Sequence, residues 1–153
     1  MSALADSVPR TRPMKESDLE RVMAIEKAIY THPWTRGNFV DSLKAGYTCH
    51  VMEVSGEVIG YGVMMIAANE AHLLNLSIAR EWQRHGYGRS LLLHFVEAAR
   101  QAEGQQMLLE VRLSNFVGRS LYFSMGFCSV AIRPGYYPTK QGREDAILMG
   151  LNL

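Results

Sequence analysis

Between Thr48 and Leu113 the spacing of apolar residues switches from period two to the helical period and back, and this switch limits the possible folds. Thr48–Val54 and Glu57–Ala67 alternate like strands, with Ser55-Gly56 as a two-residue hairpin turn between them. Ala71–Ala79 reads as a third strand, set off by Asn69. Arg89–Glu103 is the strongest helical segment: Leu91, Phe95, Ala98 and Ala102 form its predicted buried stripe, and Gly104 stops it. Met107–Leu113 returns to strand. A strand–helix–strand passage closes as a right-handed parallel crossover. An antiparallel meander leading into one such crossover gives a mixed sheet that helices must cover.

The flanking segments supply further elements. Ser17 is the predicted cap of a first helix, with Glu20 completing a capping box and Leu19, Val22, Ile25 and Ile29 on one face. A second helix starts at Thr35, where Trp34 and Phe39 occupy the positions of a hydrophobic staple, and ends before Gly46. Phe116–Met125 reads as a short helix capped by Asn115 and closed by Gly126, and strands over Cys128–Arg133 and Asp145–Leu151 finish the chain. The predicted class is α+β in three layers: a mixed, mostly antiparallel sheet with one parallel crossover and helices on both faces. With 153 residues, 48% hydrophobic and 20% charged, it reads as a single domain over 1–153.

Composition excludes several functions. Sixteen basic and fifteen acidic residues leave a net charge of +1, so no overall field draws the protein to nucleic acid or an anionic membrane. The longest apolar run, Val63 to Ala68, is far short of the ~20 residues of a membrane span. Asp6 stands where an export signal needs an apolar segment, which points to the cytoplasm. Cys49 and Cys128 make no paired motif and read as reduced, and the five histidines show no metal-binding spacing.

Chemistry concentrates after the third strand. Gln83-Arg84-His85-Gly86-Tyr87-Gly88-Arg89 runs directly into the central helix, whose free amides make an anion site suited to phosphate. Taken alone, the two glycines also fit a plain tight turn. A nucleotide-binding P-loop would need glycine at Gln83 and lysine at Arg89, and a dinucleotide fingerprint would need a small residue at Leu91. Glu110 lies inside an otherwise apolar parallel strand, sharing a face with Leu108 and Arg112. Such a carboxylate is costly unless partnered, so it reads either as an ion pair, with Arg112 or another cation, or as a general base. Asn115, Arg119 and Tyr122 form a polar stripe on the next helix, opposite Val117 and Leu121. Tyr122 reads as a proton donor or as a buried aromatic with a satisfied hydroxyl, and Asn115 as the cap of that helix.

The spacing Gln83-x-x-Gly86-x-Gly88 matches Q/R-x-x-G-x-G/A, and here the chain resembles the GCN5-related N-acetyltransferase superfamily. Ile25-Glu26, Pro33-Trp34, Leu109-Glu110-Val111-Arg112, Ser114-Asn115, Leu121-Tyr122 and Gly126-Phe127 resemble its ribosomal-protein-alanine N-acetyltransferases. So does the tail, Arg133, Tyr136-Tyr137-Pro138-Thr139 and Glu144-Asp145-Ala146-Ile147. Gly118 and Arg119 depart from the alanine and aliphatic residue common in that family. The resemblance implies acetyl-coenzyme A as donor and no metal. The pantetheine arm would pair with Leu76, Ser77 and Ile78, and residues Gln83, Arg84, His85, Gly86, Tyr87, Gly88 and Arg89 would wrap the pyrophosphate. Asn115 would bond near the thiol end. Glu110 would be the base and Tyr122 the acid of a direct transfer.

The implied partner is the N-terminal alanine of a small-subunit ribosomal protein. Glu26, Trp34, Tyr136, Tyr137 and Asp145 would flank its peptide groove, the aromatics packing the first residues and the acids attracting basic ones. An N-terminal amine (pKa ~7.7–8.0) is also far easier to deprotonate than a lysine at ~10.4. Another amine acceptor (lysine, polyamine or aminoglycoside) and a non-catalytic acyl-coenzyme A module are the competing readings. A monomer or weak dimer without direct nucleic-acid binding is expected.

Overall fold

The computed structural model describes residues 8–153; Asp6 and the segment read for an export signal lie outside them. The strands are β1 (Arg10–Pro13), β2 (Thr48–Val54), β3 (Glu57–Ala67), β4 (Glu70–Ile78), β5 (Gln106–Arg112), β6 (Cys128–Thr139) and β7 (Gly142–Asn152). The helices are α1 (Leu19–Ile29), α2 (Arg36–Lys44), α3 (Tyr87–Gln101) and α4 (Phe116–Ser124). One sheet runs in the order β1-β2-β3-β4-β5-β7-β6. Only β4 and β5 pair in parallel; the other neighbours are antiparallel. The expected mixed sheet is therefore present.

Local chemistry accounts for the meander. Ser55 and Gly56 both have positive φ (53° and 79°), the primed turn that matches strand twist, and Ala68 with Asn69 repeats it at 51° and 64°. Each face of the sheet then carries its own core. Leu91, Leu92, Phe95, Val96 and Ala99 of α3 pack on Met52, Leu73, Met107 and Leu109. Leu19, Val22 and Ile25 of α1 and Phe39 of α2 pack on Val51, Tyr61 and Val63. Gly62 lets α3 approach: a Cβ there would lie 2.4 Å from the Phe95 ring. Thr35 caps α2 by accepting the Asn38 N–H, and Trp34 stacks 5.0 Å from Phe39, as the staple predicts.

Several expectations are corrected. The first helical turn begins at Glu16, and Asp18 rather than Ser17 reaches back, accepting the Lys15 N–H at 2.7 Å. Strand β1 was not anticipated, because its two arginines and Pro13 hide a period-two pattern that needs only one paired edge. Helix α3 starts at Tyr87, and its buried stripe is rotated toward Leu92, Val96 and Ala99, leaving Ala102 exposed. The last two strands form one long hairpin through Tyr136–Thr139, with a register shift between Arg133 and Tyr137. Val117 is 80% exposed while Leu121 packs with Tyr122 against the core, so the two do not form a common apolar back to α4.

Arg12 forks onto both Asp18 oxygens at 2.8 Å and holds that carboxyl below its ordinary 3.8. A depressed native pKa stabilises the fold above the unfolded pKa and loses this contribution as pH falls through the native value. Asp18→Asn should cost about 1–3 kcal/mol at pH 7. The difference from wild type should shrink in urea unfolding below pH ~3.8, where the unfolded carboxyl takes up its proton.

Candidate active site

The parallel ladder between β4 and β5 ends early. Pairing runs from Glu70↔Gln106 to Leu73↔Leu109, yet β4 continues to Ile78 and β5 to Arg112. From Leu74 onward β4 is bonded only on its β3 side, through Asn75, Leu76, Ser77 and Ile78. The two strands splay, leaving a wedge with peptide groups of Leu76, Ser77 and Ile78 along one wall. These are the residues expected to meet a pantetheine arm.

The wide end of the wedge is closed by the glycine loop. Gly86 is the N-cap of α3 with φ +83°, a left-handed conformation that favours glycine. Arg84 also has positive φ (65°). Gln83 Nε2 donates to the Ile78 carbonyl at 2.9 Å, folding the loop back over the strand. His85 Nδ1 lies 2.7 Å from the Gln83 carbonyl oxygen. The first α3 turn, Tyr87 to Arg89, has no helical carbonyl four residues back and presents its amides toward this end. The side chains of Gln83, Arg84, His85 and Arg89 are exposed. A Cβ placed on Gly88 would touch Ile78 and Leu121 equally, at 3.8 Å, so β4, the loop and α4 converge at one point. Arg89 Nη1 donates to Ser124 Oγ at 3.0 Å and ties the loop to α4.

Helix α4 brings Asn115 and Tyr122 to the wedge. Asn115 Oδ1 accepts the Gly118 N–H at 2.9 Å, so the cap role is present. Gly118 is enclosed by that cap: a Cβ there would lie 2.7 Å from Asn115 Nδ2. Arg119 donates to the Leu113 carbonyl at 2.7 Å and lies over the Phe116 ring. The Tyr122 ring packs against Phe127 at 5.7 Å. Among the described residues its hydroxyl has no hydrogen-bond partner. Burial, then the nearby Tyr30 and Tyr137 phenols, push the Tyr122 pKa well above the ordinary tyrosine value.

Glu110 enters from β5, with its side chain 8% exposed. Its partners are His72, with Nε2 2.7 Å from Oε2, and Arg133, with Nε 3.5 Å from Oε1. Arg112, the partner considered from sequence, instead pairs with Glu144 at 3.2 Å and lies 4.4 Å over the Tyr137 ring. Tyr137 links the two candidate groups. Burial and then Tyr136 and Glu110 raise its pKa, and Tyr137 in turn raises that of Tyr122.

The expected groove residues divide. Trp34 is half-buried in its staple, and Tyr136 is 46% exposed, edge-on to Tyr137 at 4.9 Å. One Asp145 oxygen accepts the Gly135 N–H at 2.9 Å and fixes the irregular stretch of β6. Glu26 corrects the reading of an acid that attracts basic residues: it is 2% exposed and its oxygens are occupied. Oε2 accepts the Trp34 N–H, and Oε1 accepts from Tyr61 OH (2.7 Å) and Asn75 Nδ2 (3.1 Å). From Asn75 the network continues through Ser77 Oγ to Tyr30 OH, 2.6 Å away. His72, Tyr30 and Arg133 as partners at this site are not legible in the sequence, since they come from β4, the end of α1 and β6.

Among the described residues no cluster of three or more His, Cys, Asp or Glu is arranged to hold a metal. No helix among them is long and apolar enough to cross a membrane. Cys49 is buried, its thiol pushed up to about 11 by desolvation, which disfavours it as a nucleophile; Cys128 is exposed and free.

A splayed parallel strand pair, an amide-lined loop and a phenol are an arrangement that can serve acyl transfer, and comparison with known proteins identifies the family. Residues 19–127 match the Acetyltransferase (GNAT) family. The chain is 33% identical over 138 residues to the [ribosomal protein bS18]-alanine N-acetyltransferase of Escherichia coli, covering 90% of this chain and 93% of that one. The crystal structure of the ribosomal-protein-S18-alanine N-acetyltransferase from Escherichia coli superposes with a TM-score of 0.89 at 32% identity, covering 95% and 94% of the two chains. The PaiA N-acetyltransferase from Thermoplasma acidophilum in complex with coenzyme A shares the fold, at 18% identity, a TM-score of 0.78 and 95% and 99% coverage. The chain belongs to the acetyltransferase (GNAT) family. It is an acetyltransferase of a family that uses acetyl-coenzyme A.

Proposed function

We propose that this enzyme transfers an acetyl group from acetyl-coenzyme A to the N-terminal alanine amine of a small-subunit ribosomal protein, in the cytoplasm. The observation that carries the reading is 33% identity spread over 90% of the chain to an enzyme of that name. The site supports it with one buried carboxylate and one free, protonated phenol around a shared wedge.

Acetyl-coenzyme A supplies the activated thioester. The β4 edge at Leu76, Ser77 and Ile78 pairs with its amide-bearing arm, and a β4 amide polarises the carbonyl. The loop from Gln83 to Arg89 holds the pyrophosphate on its amides, with Arg84 and Arg89 adding positive charge. Asn115 bonds near the thiol end while capping α4. Glu110 takes a proton from the acceptor ammonium through water, and the freed amine forms the bond to the acyl carbon. Tyr122 protonates the sulfur as the carbon–sulfur bond breaks. The second nitrogen proton returns through water to the Tyr122 oxygen. One proton is released per turnover. The raised Tyr122 pKa keeps the donor protonated at neutral pH. Trp34, Tyr136, Tyr137 and Asp145 border the acceptor peptide, and Glu26 holds the Trp34 backbone in place.

Intact mass of the ribosomal protein, incubated with enzyme and acetyl-coenzyme A, should rise by one acetyl group. A peptide beginning Ala-Arg should be acetylated, and the same peptide blocked at its N-terminus should not. Activity confined to lysine or small amines would overturn the acceptor assignment. Tyr122→Phe should lower kcat roughly 10–100-fold, less than loss of the base, because a thiolate leaves without much assistance.

A further inference from the structure

The hydroxyl of Tyr30, the residue that ends α1, is held in one orientation by a chain of bonds anchored on a buried carboxylate. An ionised carboxylate only accepts, so the Asn75 amide nitrogen faces Glu26 Oε1, at 3.1 Å. The Asn75 oxygen is thereby turned to Ser77 Oγ, which donates to it at 2.8 Å. Ser77 has one hydroxyl proton, and that bond uses it. Tyr30 must therefore donate to Ser77 Oγ, 2.6 Å away. Burial raises the Tyr30 pKa, which keeps this proton on the phenol.

The result is a phenolic oxygen with its proton committed to the protein and its lone pairs free. Among the described residues Ser77 is its only hydrogen-bond partner, and Tyr30 is partly exposed. Its surroundings are the proposed reaction centre. Leu109 and Val111 point into the α3 core, so Glu110 between them points to the opposite face, where α1 lies. Asn75 and Ser77 of β4 point to that same face, since they bond Glu26 and Tyr30. Tyr30 and Glu110 thus share one face, the first over β4 and the second on β5. The Tyr122 and Tyr137 phenols both lie within electrostatic reach of Tyr30.

We propose that Tyr30 is the binding residue for the nitrogen of the acceptor amine. This rests on the reading of the wedge as the transfer site for an N-terminal amine. An ammonium has three N–H donors and no acceptor, and the locked phenolic oxygen takes one of them. A phenol free to turn would donate to the amine lone pair once Glu110 had removed a proton, and would mask the nucleophile. The chain to Glu26 prevents this and leaves the lone pair directed at the acyl carbon. The N–H held by Tyr30 is the one that remains in the product amide.

The test compares two peptides by calorimetry on the coenzyme A-loaded enzyme. One is the Ala-Arg peptide; the other carries propionyl in place of the N-terminal alanine and so lacks only the amine. Tyr30→Phe should weaken the Ala-Arg peptide roughly 10–100-fold, the range of a hydrogen bond to a charged group. The propionyl peptide should stay within about twofold, as should the KM for acetyl-coenzyme A. If Tyr30→Phe does not fold, Ser77→Ala is read on the same pair. It frees the Tyr30 proton to turn outward and should weaken only the amine-bearing peptide. Equal weakening of both peptides, or an Ala-Arg affinity within about twofold of wild type, would overturn the assignment. If wild type acetylates the Ala-Arg peptide while Tyr30→Phe leaves its binding unchanged, only the role of Tyr30 falls. If wild type acetylates no free N-terminus, the acceptor assignment falls first and takes this one with it.

Discussion

Glu110→Gln is expected to reduce kcat roughly 10²–10⁴-fold, the range a positioned base contributes. Glutamine retains an acceptor oxygen toward His72 or Arg133, so the strand and its ladder to β7 should be undisturbed. The KM for acetyl-coenzyme A should change by less than about twofold, because its proposed contacts lie on the glycine loop and the β4 edge and not on Glu110. The defect should narrow above pH ~8, where an N-terminal amine loses its proton without help. Steady-state kinetics of the Ala-Arg peptide from pH 6.5 to 9 reads both effects. A kcat within threefold of wild type at pH 7 would mean that another group removes the proton.

The largest loss of stability is expected from Glu26→Ala. Three donors converge on this buried carboxylate: the Trp34 N–H, the Tyr61 hydroxyl and the Asn75 amide. Tyr61 is fully buried, and its pKa is raised first by desolvation and then by Glu26. Removing the acceptor strands these groups at about 1–3 kcal/mol each, so a loss of at least ~3 kcal/mol is expected in urea unfolding. Glu26→Gln should cost less, since one oxygen remains. The damage also reaches the wedge, because Asn75 passes the network to Ser77 on the free edge of β4 and through it to Tyr30 at the end of α1. A change below ~1 kcal/mol for Glu26→Ala would show that water readily replaces the carboxylate.

Features set within a few residues were legible in the sequence. Ser55-Gly56, the Thr35 cap with its Trp34–Phe39 staple, the Asn115 cap and the alternation around Glu110 all appear as read. So does the crossover, since one parallel connection after a meander leaves little topological choice. What was missed depends on contacts between distant residues. His72 and Glu110 are 38 positions apart and meet only through the parallel register, which no local pattern reveals. Glu26 reads from the resemblance as an acid flanking the peptide groove, but its partners come from β3, β4 and the segment before α2. The reach of the β6–β7 hairpin was hidden by Pro134, Gly135 and Pro138, which read as loop residues. Arg143 and Asp145 hold this stretch through bonds to Gly135 and Tyr136.

The short β4–β5 ladder has a mechanical consequence. Four residue pairs, Glu70–Leu73 against Gln106–Leu109, are all that stitch a four-strand half of the sheet to a three-strand half. A donor arm hydrogen-bonded along the parted backbone, as proposed above, would act as a splint across this joint.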